Sequence, residues 1–122
     1  MVRRGLAAFV LLLLLLPAHA TWAAFHIMKV TEVFPGTPSA PNAQYVVIQM
    51  YADGQNFVGT HSIITYDAAG GVTGTYAFAA NVANGTNQDK ILIATAEATA
   101  LFGGLARDLT MMPTMARAGG AA

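Results

Sequence analysis

The segment Tyr45-Val46-Val47-Ile48-Gln49-Met50-Tyr51 is the clearest indication of how this chain folds. Alternate side chains of an extended backbone point to opposite faces, so Val46, Ile48 and Met50 share one purely aliphatic face. The opposite face combines tyrosine, valine and glutamine. A period of two with one apolar side is typical of a half-buried β-strand. The sequence therefore predicts a strand at 45–51 whose aliphatic face, including Ile48, lies in the core.

Four other segments share the β-branched and aromatic composition of this strand. Turn-forming residues separate them: Pro35-Gly36-Thr37-Pro38 follows the first, and residues 53–56 form a polar turn. The five-residue, glycine-containing loop at 67–71 joins two β-branched segments and predicts a hairpin. The predicted antiparallel strands are 27–34, 45–51, 62–66, 72–78 and 90–94, with one more short strand possible within 109–112.

The composition changes after the strand at 90–94, and this change predicts a short helix. Alanine and glutamate replace β-branched residues in 96–102, and Thr95 can cap the helix N-terminus. Gly103 and Gly104 would end the helix. Strands and helices do not otherwise alternate, so we expect an all-β, antiparallel β-sandwich with one short helix.

The first twenty residues have the three regions of a secretory signal peptide. Arg3 and Arg4 form the basic region, residues 5–16 are continuously apolar, and Ala18-His19-Ala20 supplies small residues for cleavage after Ala20. An uncleaved membrane anchor is the alternative, but about 12 apolar residues fall short of the roughly 20 that span a bilayer. We therefore expect a secreted or cell-surface protein whose mature chain begins at Thr21.

The composition excludes several classes of protein. Of 122 residues, 55% are hydrophobic and 10% charged, against about 25% charged in a typical domain. So few charges argue against a disordered chain, a charged coiled coil or a nucleic-acid-binding surface. The absence of cysteine excludes disulfides, thiolate metal sites and cysteine nucleophiles. Removal of the signal peptide lowers the basic residues from 6 to 4 against 6 acidic ones, so the mature chain is formally −2.

The chain is therefore divided into three parts by its sequence. Residues 1–20 are the predicted signal peptide, and residues 21–116 are the predicted β-sandwich domain. Residues 117–122 have no apolar periodicity and are expected to form a disordered tail.

The order of the predicted segments resembles the lamin-tail-like domain of secreted and surface bacterial proteins. Val30-Thr31-Glu32-Val33-Phe34-Pro35 is similar to the opening strand of that domain, and Tyr45-Val46-Val47-Ile48 to the strand after its Gly/Pro loop. Tyr76-Ala77-Phe78, Ile91-Leu92-Ile93-Ala94 and residues 98–103 follow in the same order. The resemblance implies an immunoglobulin-like β-sandwich with an accessory or interaction role and no catalytic residues.

The resemblance also bears on the C-terminal end of the domain. Domains of this family usually close with a further strand after the glycine-rich segment, and this chain stops at Gly119-Gly120-Ala121-Ala122. We therefore expect a domain truncated before its closing strand. The missing strand would leave an open sheet edge through which copies of the chain can self-associate.

Few residues offer catalytic or metal-binding chemistry. His26 and His61 are the only histidines after residue 20, and neither has a further ligand at metal-binding spacing. His61, Ser62 and Asp67 supply the residue types of a nucleophilic triad. However, His61 and Ser62 are consecutive, so on a strand their side chains point to opposite faces.

Other polar and glycine-rich motifs are better explained by the fold. Asp53 and Asn56 lack the pattern of an EF-hand and suit a turn. Residues 70–74 have glycines spaced as in a phosphate loop, but a strand follows instead of a helix. Asn84-Gly85-Thr86 combines a turn dipeptide with the N-glycosylation acceptor pattern.

Two further features concern the interior. Glu32 is the one acid inside an apolar strand, and it either pairs with Lys29 or Lys90 or faces water. The methionines at 111, 112 and 115 are expected to be flexible core filler.

The sequence therefore predicts no catalytic, cofactor-binding or metal-binding residues. We expect a secreted, non-catalytic module with a structural or protein-interaction role, and an extracellular protein or surface component as its partner. Nucleic acid is not expected as a partner, nor is a membrane after signal cleavage. The alternatives are a small secreted hydrolase and an N-terminal fragment of a larger cell-surface protein whose activity lies outside this chain.

Overall fold

The structure is a computed structural model that describes residues 26–115. The predicted signal peptide, the expected mature N-terminus and the predicted tail lie outside the described residues. The described chain contains six strands and one short helix. In chain order these are β1 Met28–Phe34, β2 Tyr45–Met50, β3 Ser62–Tyr66, β4 Val72–Ala77, β5 Lys90–Ala94, α1 Ala96–Leu101 and β6 Leu109–Thr110.

The strands form two sheets that pack on each other. One sheet has four strands in the order β1-β2-β5-β6, and the other is the β3-β4 hairpin. Hydrophobic side chains from both sheets form one buried cluster, which includes Ile48 and Ile91 from the first sheet and Tyr76 from the second. The fold is therefore all-β and sandwich-like, as predicted, and the five predicted antiparallel strands are confirmed within one residue at each end.

The alternation in β2 is confirmed. Val46, Ile48 and Met50 are buried, whereas Tyr45, Val47 and Gln49 are half-buried on the opposite face. β2 lies between β1 and β5, so Ile48 is paired with Val30 on one side and with Ile91 on the other. A central strand of this kind buries one face in the core and leaves the other free to form a site.

The sixth strand differs from the expected antiparallel arrangement. β6 pairs in parallel with β5, with Ile93 opposite Leu109 and Ala94 opposite Thr110. A parallel neighbour requires a crossover, and α1 with the loop after it supplies that connection. The chain therefore places α1 against the face of the four-stranded sheet that points away from the β3-β4 hairpin.

Thr95 anchors the start of α1, as predicted from its capping propensity. Its Oγ1 accepts a hydrogen bond from Ala98 N at 3.1 Å and one from Gln44 N at 3.1 Å. The same hydroxyl donates to Asn42 O at 2.8 Å. Gly103 and Gly104, with φ of +81° and +84°, end the helix in the conformation that glycine adopts most easily. One side chain thus joins α1 to the loop before β2.

The long loop between β1 and β2 is held by a buried glutamine that the sequence does not single out. Gln44 Nε2 donates to Pro35 O at 3.2 Å and to Pro41 O at 3.3 Å. Gly36 has a φ of +86°, and a Cβ at this position would lie 2.6 Å from Pro41 O. The close approach of these backbone segments therefore requires glycine at position 36.

Candidate functional site

A groove lies between the four-stranded sheet and α1, on the face of the sheet that points away from the core. We call it the helix groove; it has a volume of about 270 Å³. Its floor is the outer face of β2 and β5, and its far wall is α1 with the residues after it. The floor is made by Val47, Leu92 and Ala94, and the wall by Ala98, Thr99, Phe102 and Leu105.

The strand register explains why the floor is apolar. Val47 on β2 is directly opposite Leu92 on β5, and Tyr45 is opposite Ala94. Directly opposite residues of antiparallel strands share a face, so these four side chains form a continuous patch. The helix packs on this patch through Ala98, which is fully buried. Small residues at 94 and 98 bring the helix close to the sheet and leave the groove beside it.

Three aromatic rings close one end of the helix groove. The Phe34 and Tyr45 rings are stacked with centroids 5.2 Å apart. Phe102, just after α1, contacts both rings edge-on, at 5.4 Å and 5.5 Å between centroids. Edge-to-face and offset-stacked pairs are the preferred aromatic arrangements. This cluster fixes the position of the wall relative to the floor.

Next to the three aromatic rings, the rim of the helix groove carries the carboxylate of Glu32, which is hydrogen-bonded within the protein. Glu32 accepts a hydrogen bond from the Tyr45 hydroxyl, and among residues 26–115 neither Lys29 nor Lys90 forms an ion pair with it. This hydrogen bond, followed by partial burial and the negative charge of Glu32, raises the pKa of Tyr45 above its usual 10.0. Lys29 instead lies over the Tyr51 ring, 5.1 Å from its centroid.

The opposite end of the groove carries a cation. Lys90 lines the groove, is exposed, and its ammonium has no hydrogen-bond or ion-pair partner among residues 26–115. The other charged groups nearby are engaged. Arg107 donates to the Thr99 hydroxyl at 3.1 Å, and Asp108 Oδ2 accepts from Leu92 N at 2.8 Å. The lining of the groove is thus mostly apolar, with the hydrogen-bonded Glu32 carboxylate at its rim and the uncommitted Lys90 ammonium at its other end.

His61 and Asp67, which the sequence offers together with Ser62 as the residue types of a nucleophilic triad, make hydrogen bonds to other groups. His61 is exposed, and its Nδ1 lies 2.9 Å from Gly59 O. Asp67 Oδ1 accepts from Ala69 N at 2.9 Å and from Gly71 N at 2.7 Å. The carboxylate therefore organises the hairpin loop, whose glycines belong to the β3-β4 turn.

The polar turn at 53–56 is also structural. Asp53 Oδ1 accepts from Asn87 N at 2.7 Å, and Asn56 Nδ2 donates to Val82 O at 3.0 Å. Gln55 is buried, and its Oε1 accepts from Ile27 N at 3.0 Å. No group of three or more histidine, aspartate or glutamate side chains within residues 26–115 could hold a metal ion.

The remaining candidates from the sequence are placed as follows. Met111 and Met115 are core residues, as expected, but Met112 is 77% exposed. Asn84 is exposed in the loop before β5. Within residues 26–115, no helix has the length and apolarity needed to cross a membrane.

Sequence reasoning assigns no site residue to the helix groove. The sequence contains one local indication of this groove. Tyr45 and Val47 alternate with the core residues of β2, so they lie on the outer face of that strand. An alanine-rich helix follows the next paired strand, and it covers part of that face. Comparison with family models, curated proteins and solved structures finds no match to this chain.

Proposed function

We propose that this chain is a secreted, non-catalytic, immunoglobulin-like β-sandwich module that binds a partner protein through the helix groove. The partner segment is a peptide with one or two apolar side chains next to a carboxylate. The observation that carries the proposal is the Lys90 ammonium, which has no partner among the described residues and lies at the end of a mostly apolar groove whose one lining carboxylate, Glu32, already accepts from Tyr45.

The size of the groove supports a side chain as its occupant. Pockets for small molecules and cofactors have volumes of about 300–1,000 Å³. The helix groove, at about 270 Å³, falls just below this range. Its floor of Val47 and Leu92 favours an apolar group, because burial there removes apolar surface from water on both partners.

The charges around the groove support a negatively charged group beside that side chain. Glu32 and Asp108 already accept hydrogen bonds from Tyr45 and from the Leu92 backbone. Lys90 is therefore the charged group of the groove that is left to meet a ligand. Electrostatic complementarity of this kind mainly selects the partner and its orientation.

The residues that line the helix groove favour a binding module over a secreted hydrolase. Acid–base catalysis needs a carboxylate or histidine within reach of a bound substrate. Neither His26 nor His61 lines the helix groove, and its one lining carboxylate, Glu32, is occupied by Tyr45.

The test uses two short acetylated peptides with the same apolar residues, one ending in a free carboxylate and one in an amide. Nuclear magnetic resonance titration of the mature chain should show shifts at Val47, Leu92 and Thr99, with tighter binding of the carboxylate form. Lys90→Met should remove that preference, whereas Lys29→Met, on the neighbouring edge strand, should keep it. Val47→Phe, which fills the groove, should weaken both peptides.

Two results would contradict the proposal. One is equal binding of the carboxylate and amide peptides to the unsubstituted chain. The other is a set of shifts that lies away from the groove and is unchanged in Val47→Phe.

A further inference from the structure

Asn84 and Gly85 lie in the irregular loop between β4 and β5, at a point where the loop is held on either side but not in between. The Asn84 side chain is exposed and has no hydrogen-bond partner among the described residues, and the N–H groups of Asn84 and Gly85 have no acceptor there either. On one side of this point, Val82 O accepts from Asn56 Nδ2 at 3.0 Å. On the other side, Gly85 O accepts from Gly54 N at 2.6 Å. The Asn84 amide and the Gly85 nitrogen are therefore neighbouring groups that the fold leaves unengaged.

Packing requires glycine at the position after Asn84. A Cβ at position 85 would collide with the Asn56 side chain, which its hydrogen bond to Val82 O holds in place. Glycine allows a close approach because it has no Cβ, and for the same reason nothing shields its backbone nitrogen. The residue that the loop needs for packing thus also gives Asn84 the least hindered backbone nucleophile that can follow an asparagine.

The other asparagines of the chain lack this combination. Each of them is followed by a residue that has a side chain; they are Asn42, Asn56, Asn81 and Asn87. Most of their side chains are also hydrogen-bonded. Asn81 Oδ1 accepts from Gly59 N at 2.9 Å, and Asn87 Oδ1 accepts from Gln88 Nε2 at 3.2 Å. Asn84 is therefore the asparagine that is both unengaged and followed by an unhindered nitrogen.

We propose that Asn84 is a site of spontaneous covalent modification, at which its side-chain amide becomes a carboxylate with water as the co-reactant. The Gly85 nitrogen attacks Asn84 Cγ, so a new N–Cγ bond replaces the Cγ–Nδ2 bond. The proton of the Gly85 N–H passes to Nδ2, which leaves as ammonia. Water then opens the cyclic succinimide at one of its two carbonyls. Opening at Cγ gives aspartate, and opening at the backbone carbonyl of residue 84 gives isoaspartate.

The modification changes both the charge and the backbone of the loop. Each conversion adds one negative charge, so the mature chain changes from formally −2 to −3. Isoaspartate also adds one carbon to the backbone before Gly85, which displaces Gly85 O from Gly54 N. We therefore expect a more acidic protein from either product, and a lower unfolding temperature for the isoaspartate form, since it loses a backbone hydrogen bond of the loop.

The test follows the purified protein, prepared without glycan, during incubation at neutral and mildly alkaline pH. Peptide mapping by mass spectrometry should find the conversion at Asn84 before any at the other asparagines, and protein isoaspartate methyltransferase should label the product. The rate should rise with pH, because the attacking nitrogen must lose its proton. Asn84→Gln, whose longer side chain closes a ring far more slowly, should not be labelled. Asn87→Gln, in the same loop, should be labelled as the unsubstituted chain is.

Comparison with the urea-unfolded chain tests whether the fold leaves this site open to attack. The folded and unfolded chains should convert at rates within a few-fold of each other. A folded chain that stays unmodified while the unfolded chain converts would overturn the proposal. So would earlier conversion at another asparagine, or labelling that persists in Asn84→Gln. Neither Asn84 nor Gly85 lines the helix groove, so this result is independent of the peptide titration that tests the proposed function.

Discussion

Two tyrosine hydroxyls have opposite environments in this structure. The Tyr45 hydroxyl is at the rim of the helix groove and donates to Glu32. The Tyr76 hydroxyl is buried in the core and has no hydrogen-bond partner among the described residues. The Tyr45 hydroxyl therefore stabilises the fold through its hydrogen bond. The Tyr76 hydroxyl loses its hydrogen bonds to water on folding and gains none from the described residues in return.

At Tyr45 the prediction concerns ionisation. Its pKa is raised, so the protonated form is favoured by folding, and this stabilisation is complete below the usual pKa of 10.0. The stabilisation is lost as the pH rises through the raised pKa. Glu32→Gln removes the negative charge and the strong acceptor, so the pKa of Tyr45 should fall toward its usual value. Titration of the phenolate absorbance measures this, with Tyr45→Phe identifying the signal; an unchanged midpoint in Glu32→Gln would refute the assignment.

At Tyr76 the prediction concerns stability. Tyr76→Phe removes a buried hydroxyl that has no hydrogen-bond partner among the described residues, so the free energy of unfolding should stay the same or rise by about 1 kcal/mol. Tyr45→Phe, which removes a hydroxyl with a partner, should lower it instead. Urea unfolding of both variants makes the comparison. A Tyr76→Phe variant that loses as much stability as Tyr45→Phe would mean that the Tyr76 hydroxyl is hydrogen-bonded in solution.

Among the secondary-structure elements, α1 depends most on one side chain. Thr95→Val has nearly the same shape but removes the acceptor for Ala98 N and Gln44 N and the donor to Asn42 O. Thr95, Gln44 and Ala98 are buried, so the N–H groups of Gln44 and Ala98 would be left without an acceptor and without access to water. We expect a loss of about 2–4 kcal/mol, since a lost cap and unsatisfied buried groups both contribute. Thr95→Ser retains the hydroxyl and should lose much less in urea unfolding; equal losses would show that the methyl group, not the hydroxyl, matters.

The elements also show which parts of the fold can be predicted from local sequence. The period of two in β2 and the glycine-containing hairpin loop are local signals, and both predictions are confirmed. The parallel pairing of β6 depends on where α1 returns the chain, and the burial of Gln44 and Gln55 depends on distant backbone groups. No pattern within a few residues encodes such contacts. The helix groove was missed for the same reason, because it exists only where β2, β5 and α1 meet.

For the whole molecule, the first prediction concerns export. Expression of the full chain in a secreting host should yield a protein outside the cytoplasm that begins at Thr21. Intact-mass measurement determines this directly, because loss of residues 1–20 is a large and unambiguous difference. Ala20→Gln replaces a small residue that signal peptidase requires and should block the cleavage. An exported protein that retains residues 1–20 would instead support a membrane anchor.

The last prediction concerns the core that joins the two sheets. Ile48 is buried in the central strand between Val30 and Ile91, in the same cluster as Tyr76 from the opposite sheet. Ile48→Asp places an unpaired charge there, which costs several kcal/mol against a total stability of roughly 5–15 kcal/mol, so the domain should unfold. Gln49→Asp, on the opposite face of the same strand and beside Lys90 in the register, should remain folded. Far-ultraviolet circular dichroism and thermal unfolding of both variants provide the measurement. A cooperative transition for Ile48→Asp at the temperature of the unsubstituted chain would show that this face of β2 is not the core, and the sandwich would then have to be assigned differently.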